Sequence, residues 1–145
     1  MLRIAEHRAV SFRYLATIKA TFTLGKQERL KSRKLLEQLF REGSTLFIHP
    51  IKTYYSFKNI PDGITLQAGF GVSSRVFKKA VDRNRIKRLM REAYRLQKNS
   101  LQQALTISGK QLAIFFLYTG KDIPAFDLVK EKMNLLLKNL EKNVK

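Results

Sequence analysis

Apolar residues first fall into a regular rhythm in the stretch SRKLLEQLFREG, residues 32–43. Leu35, Leu36, Leu39 and Phe40 recur at three- and four-residue steps, the spacing of one helix face. Ser32 suits the N-cap and Gly43 the stop. The rhythm then changes to that of strands. TLFI at 45–48 is a short extended run ended by Pro50. IKTYYSF at 51–57 alternates: Lys52, Tyr54 and Ser56 point one way, and Ile51, Thr53, Tyr55 and Phe57 the other. NIPDG at 59–63 has the chemistry of a hairpin turn. ITLQAGFGVS at 64–73 reads as the returning strand, and its Gly69 and Gly71 predict close approach by another backbone or a ligand.

Helical spacing returns from about Lys79 to Gln97. KQLAIFFLY at 110–118 is almost wholly apolar, which predicts a central strand buried on both faces. Pro124 suits the first turn of a last helix. In that helix Phe126, Val129, Met133, Leu136, Leu137 and Leu140 keep three- and four-residue steps. The predicted order is helix, three strands, helix, strand, helix. No internal repeat or linker divides it. Residues 1–21 mix apolar and basic residues without period. They lack the long apolar centre of a signal peptide and read as a flexible extension or as residues translated from an upstream start, with a faint likeness to an organelle transit peptide. The domain then runs from 22 to 145.

Composition sharpens the picture at one point. The 145-residue chain carries 29 Lys and Arg against 11 Asp and Glu, a formal net charge of +18. Self-repulsion of this size disfavours a compact state unless a polyanion relieves it. With 44% hydrophobic residues the chain is otherwise an ordinary globular one, and a basic globular domain points to nucleic acid. No apolar run approaches the ~20 residues of a membrane span. The chain has no cysteine, so disulfides and thiolate metal sites are excluded. A cytoplasmic protein is expected.

The charge concentrates in FKKAVDRNRIKRLMREAYR, residues 77–95, where eight of nineteen residues are basic and two acidic. On a helix, Ile86, Leu89, Met90 and Ala93 converge on one side and would pack on the sheet. Asn84, Arg88, Arg91 and Arg95 lie opposite, within about 60° of one another. Arg85 and Lys87 flank them, and Arg83 stands on the shoulder. A merely solvated face mixes signs, because like charges four residues apart repel. Here Lys87, Arg91 and Arg95 stand at four-residue steps with one sign. Arginine, whose planar fork matches phosphate, outnumbers lysine.

AVDRNRIKRLMREAYR closely resembles the RNR signature of the protein subunit of bacterial ribonuclease P. The resemblance extends from about Phe22 to Leu140. LGKQERLKSRKLLEQLFREG is similar to that family's N-terminal segment and first helix, GFGVSSRVFKKAVDRNRIKR to its third strand, connector and signature helix, and LAIFFLY to its last strand. The resemblance implies an α/β (α+β) sandwich of order αβββαβα with a four-stranded sheet. It also implies a left-handed βαβ crossover through the RNR helix, which pattern alone would not suggest. It implies an endonuclease that removes the 5′ leader from precursor tRNA. An RNA subunit would hold the active site and most of the Mg²⁺, while the protein binds that RNA and the leader. No membrane and no protein partner are implied.

Two sets of residues carry over. Arg83, Asn84, Arg85, Lys87, Arg88 and Arg91, with Arg75, Lys78 and Lys79 of the connector, match the surface that lies against the RNA subunit. Leu36, Phe40, Lys52, Tyr54 and Ser56 match or border the leader cleft between the first helix and the open sheet face. Leu36 departs from the family, which often has an aromatic there, and the connector is one residue longer than usual. No residue is assigned to bond-breaking. His7 and His49 are isolated in sequence, and no Asp-x-Asp-like cluster appears. The alternative on the residues alone is a ribosomal-type or other RNA-binding protein with no nuclease association. A stand-alone metal nuclease would instead need Asp82 or Glu92. A DNA-binding module explains poorly a basic helix lodged between two strands.

Overall fold

The structure, a computed structural model, describes residues 28–57 and 64–144. The extension at 1–21 and the turn at 59–63 lie outside them. Eight elements follow in order: α1 (Arg33–Glu42), β1 (Ser44–Ile48), β2 (Ile51–Ser56), β3 (Leu66–Val72), α2 (Ala80–Gln97), α3 (Asn99–Ser108), β4 (Leu112–Tyr118) and α4 (Phe126–Val144).

Local chemistry sets most of these boundaries. The Ser32 hydroxyl accepts from the Leu35 amide at 3.3 Å and caps α1. Gly43 ends that helix, but in an extended conformation (φ −71°, ψ 157°) rather than a left-handed one. A side chain there would collide with the Leu39 carbonyl, so space, not φ, demands glycine. Gly109, by contrast, ends α3 at φ 71°, where glycine carries no Cβ penalty. α4 starts after Pro124 rather than around it: the Ala125 carbonyl accepts from the Val129 amide at 3.2 Å.

The four strands lie in the order β1-β2-β4-β3. β1 and β2 are antiparallel, as are β2 and β4, whereas β3 and β4 are parallel. The expected hairpin between β2 and β3 is therefore not formed: β4 inserts between them, giving the mixed sheet of an α/β fold. β3 reaches its parallel neighbour through a crossover of two helices, not one. Pattern reading missed α3, because it buries just Leu101 and Leu105 amid Asn, Ser, Gln and Thr.

One sheet face meets α2 and α4. Ile51, Leu66, Ala68, Leu112, Ile114, Phe116 and Tyr118 pack there against Ile86, Met90, Ala93, Tyr94 and the apolar stripe of α4. The other face meets α1 alone. Ten residues of helix span ~15 Å, too little to cover it. Ala113 is buried beneath α1, but Phe115 and Leu117 are half-buried. β4 is thus fully buried on one face and partly open on the other, not closed on both as its apolar run suggested. The open remainder is a cleft.

Candidate nucleic-acid interface

α2 sorts its residues as its periodicity demands. Ile86, Met90, Ala93 and Tyr94 are buried. Asn84, Arg85, Arg88 and Arg91 are exposed, and Lys87 is half-buried. Val81, Asn84, Arg85, Arg88 and Leu89 line a shallow open concavity on one flank. The connector before α2 is a fixed turn. Phe77 is buried, with its ring 6.1 Å from Tyr118, and its amide donates to the Ser73 carbonyl at 3.1 Å. Arg83 donates from one guanidinium nitrogen to the Phe77 and Lys78 carbonyls at 2.7 and 2.8 Å. It therefore braces the connector, which holds exposed Arg75, Lys78 and Lys79 beside the start of α2. Lys79 occupies the N-cap position without a side-chain acceptor for the first-turn amides, an end that favours anions.

Two features were only faintly signalled in the sequence. Arg95, on the expected cationic arc, donates to Glu92 through Nε at 3.1 Å. That bond, with the attraction of the Arg95 charge, holds the Glu92 carboxyl below its ordinary value. The pair takes one charge off the arc. Arg29 adds one. Residues 28–30 lie along the free edge of β3: Arg29 bridges Ala68 in parallel, and the Leu30 amide donates to the Ala68 carbonyl at 2.9 Å. Glu28 pairs with buried Lys98 at 2.8 Å, which fastens this segment to the α2–α3 junction. The Arg91 guanidinium is pushed below its ordinary value, first by burial, then by the positive charges of Arg29 and Arg88. It stays cationic in any aqueous buffer. Arg29 and Arg88, from two distant segments, thus both stand close enough to act on Arg91. The sequence signal for Arg29 was faint: it falls in the N-terminal segment, with no periodicity to aim it.

The cleft under α1 is the second surface. Phe40 stands half-exposed over the sheet, edge-on to Tyr54 at 5.0 Å and to Phe115 at 5.1 Å. Lys52 reaches over the Tyr54 ring, its Nζ 5.2 Å from the centroid. Leu36 is half-buried on α1. Ser56 lies at the closed end, against Leu35, Gln38, Leu39 and Ala113, where no water-sized space remains. Gly69 and Gly71 make room chiefly for a side chain. A Cβ on either would come within 3.0 Å of the Phe115 ring, and one on Gly69 would also lie 3.4 Å from the Leu30 carbonyl oxygen. The glycines make room for that ring over β3, on the floor of the cleft.

Fold and surface together define a strongly basic α/β sandwich that displays its charge on a crossover helix beside a half-open sheet. A family model for ribonuclease P matches residues 24–141. The chain is 34% identical over 128 residues to the ribonuclease P protein component of Porphyromonas gingivalis, spanning 88% of this chain and 93% of that one. It is 36% identical over 134 residues to that of Chlorobaculum tepidum, spanning 86% and 87%. The solved ribonuclease P protein of Thermotoga maritima superposes with a TM-score of 0.62 at 26% identity, over 77% of this chain and 96% of that one. That of Staphylococcus aureus, at 21% identity and a TM-score of 0.54 over 81% and 95%, shares the fold. The chain belongs to the ribonuclease P protein family: it is the protein component of ribonuclease P, an endoribonuclease of tRNA processing. Membership implies partnership with the ribonuclease P RNA. Among the described residues no helix is long and apolar enough to cross a membrane.

Proposed function

We propose that α2 and its connector grip the catalytic RNA subunit, while the cleft under α1 holds the single-stranded 5′ leader of precursor tRNA. Arg83, Asn84, Arg85, Lys87, Arg88 and Arg91, with Arg75, Lys78 and Lys79, take phosphates of the RNA subunit, and Arg29 extends that surface. Phe40 and Tyr54 stack leader bases, Lys52 beside the Tyr54 ring meets a leader phosphate, and Leu36 and Ser56 close the cleft by contact. The observation that carries this reading is the exposed, single-signed surface of Arg75, Lys78, Lys79, Arg85, Arg88 and Arg91 on α2 and its connector, which a polyanion would neutralise. Among the described residues no three His, Asp or Glu side chains gather as metal ligands. On this reading Mg²⁺ belongs mainly to the RNA subunit, and no step of hydrolysis falls to the protein. Residues 22–145 form the functional domain, with 1–21 an extension outside it. A cytoplasmic location goes with such a substrate.

Reconstitution with the RNA subunit at limiting Mg²⁺ tests the reading. The protein should raise cleavage of precursor tRNA there, and excess Mg²⁺ should narrow the difference. A ribosomal-type binder would leave cleavage unchanged. If about six phosphates are engaged, log K should fall against log salt with a slope near −5. Arg88→Ala with Arg91→Ala should weaken RNA-subunit binding and flatten that slope by roughly 2. Binding unchanged in the double variant would refute the helix as the RNA surface.

A further inference from the structure

β1 is the outermost strand of the sheet, and it carries a bare phenyl ring. Phe47 is 54% exposed. Its ring stacks on His49 with centroids 6.1 Å apart and planes 20° from parallel. An exposed aromatic on an edge strand is open to a partner. Its register shows which way it faces. Phe47 stands directly opposite Lys52, and Thr45 opposite Tyr54. Residues opposite one another in an antiparallel pair share a face. Phe47 therefore lies on the cleft side of the sheet, with Lys52 between it and the Tyr54 ring. Phe47 and Tyr54 are diagonal neighbours, a separation of roughly 7–8 Å at the backbone. None of the described residues on that face of the sheet is acidic.

We infer that Phe47, stiffened by His49, is a further stacking station for the single-stranded leader, extending its track from Tyr54 across Lys52 to the sheet edge. The inference rests on the leader-cleft reading above. Its chemistry is that of single-strand binding: flat apolar rings take bases of any kind, and a cation between them takes the linking phosphate. Among the described residues no strand pairs with the outer edge of β1, so a single strand of nucleic acid can run on past Phe47. The neighbouring rings differ in their freedom. Phe40 is held edge-on by two partners, whereas Phe47 has one ring partner, His49, among the described residues and is 54% exposed.

The test uses the reconstituted holoenzyme and precursor tRNAs whose leaders lengthen one nucleotide at a time. Affinity should rise with leader length for the wild type, and Phe47→Ala should remove one late increment of about tenfold. The shortest leaders should bind Phe47→Ala as they bind the wild type. Phe47→Tyr, which keeps a flat ring, should restore the increment. Thermal melting of Phe47→Ala should match the wild type, because the side chain is exposed. If Phe47→Ala binds every leader normally while Tyr54→Ala does not, the station is refuted and the cleft survives. If both variants bind every leader normally, the leader-cleft reading itself fails. A loss equal at every leader length, or weaker binding of the RNA subunit, would show that Phe47 touches something other than the leader and would also overturn the inference.

Discussion

Thr53 is fully buried in the middle of β2, and its hydroxyl has no hydrogen-bond partner. It faces the core beside Leu46 and Phe116. A buried hydroxyl without a partner is destabilising, and a methyl of the same shape is not. Thr53→Val should therefore stabilise the fold by about 1 kcal/mol. Denaturant titration should show the midpoint rise with an unchanged slope. Tyr94 makes a second prediction at this scale. Burial, and then the negative charge of Glu28, hold its phenol well above the ordinary value of 10.0. Burial and then Asp122 raise Tyr118 as well. In the unfolded chain both ionise near 10. Their contribution to stability is thus whole below about pH 10 and is lost as pH climbs from there through the folded values. Melting temperature followed from about pH 8 to 11 should fall at the alkaline end. Tyr94→Phe should lessen that fall. At this scale much was legible: the Ser32 cap and the two faces of β2 follow from residue type and alternation. The pairing of Arg95 with Glu92 also had its signal in their three-residue spacing, but spacing alone did not say that the pair would close.

The elements depend on a few tertiary ties. Lys98 is 1% exposed at the junction of α2 and α3 and pairs with Glu28, which is about one-fifth exposed. Lys98→Met would leave the Glu28 carboxylate without that partner and should destabilise by about 2–4 kcal/mol. Glu28→Leu in the same chain should recover much of the loss, since an apolar pair replaces an ionic one without stranding a charge. RNA-subunit affinity should drop in Lys98→Met beyond any change in folding, because the segment that carries Arg29 is released. Fluorescence-detected melting and RNA binding on the same samples separate the two effects. The α2 helix itself could be drawn from sequence, since its 3.6-residue period separates Ile86, Met90 and Ala93 from Asn84, Arg88 and Arg91. α3 could not. Its short, polar surface offers Leu101, Ala104, Leu105 and the Gly109 stop as its signals, and Lys98 before it stays in helical conformation, so no break announces a new element.

Across the whole molecule the same excess charge should act in opposite directions on folding and on binding. A net charge of +18 repels itself in the free protein, and salt screens that repulsion. Raising salt from about 20 to 200 mM should lift the melting temperature, by roughly 3–5 °C if ~1 kcal/mol is relieved. Over that range RNA-subunit affinity should fall, since counterion release drives it. A melting temperature that falls with added salt would mean that the arginines are already neutralised within the fold.

The sequence by itself determined the helices and strands with strong periods, the cationic arc on α2, the alternation of β2 and the family to which they belong. These are properties of neighbours along the chain, and backbone geometry converts spacing directly into faces. Tertiary structure alone decided that β4 enters between β2 and β3, that Arg29 comes near Arg91 at the sheet edge, and that α1 leaves part of a sheet face uncovered. Those outcomes depend on which distant surfaces bury one another, and a hydrophobic residue's pattern says that it must be covered without saying by what.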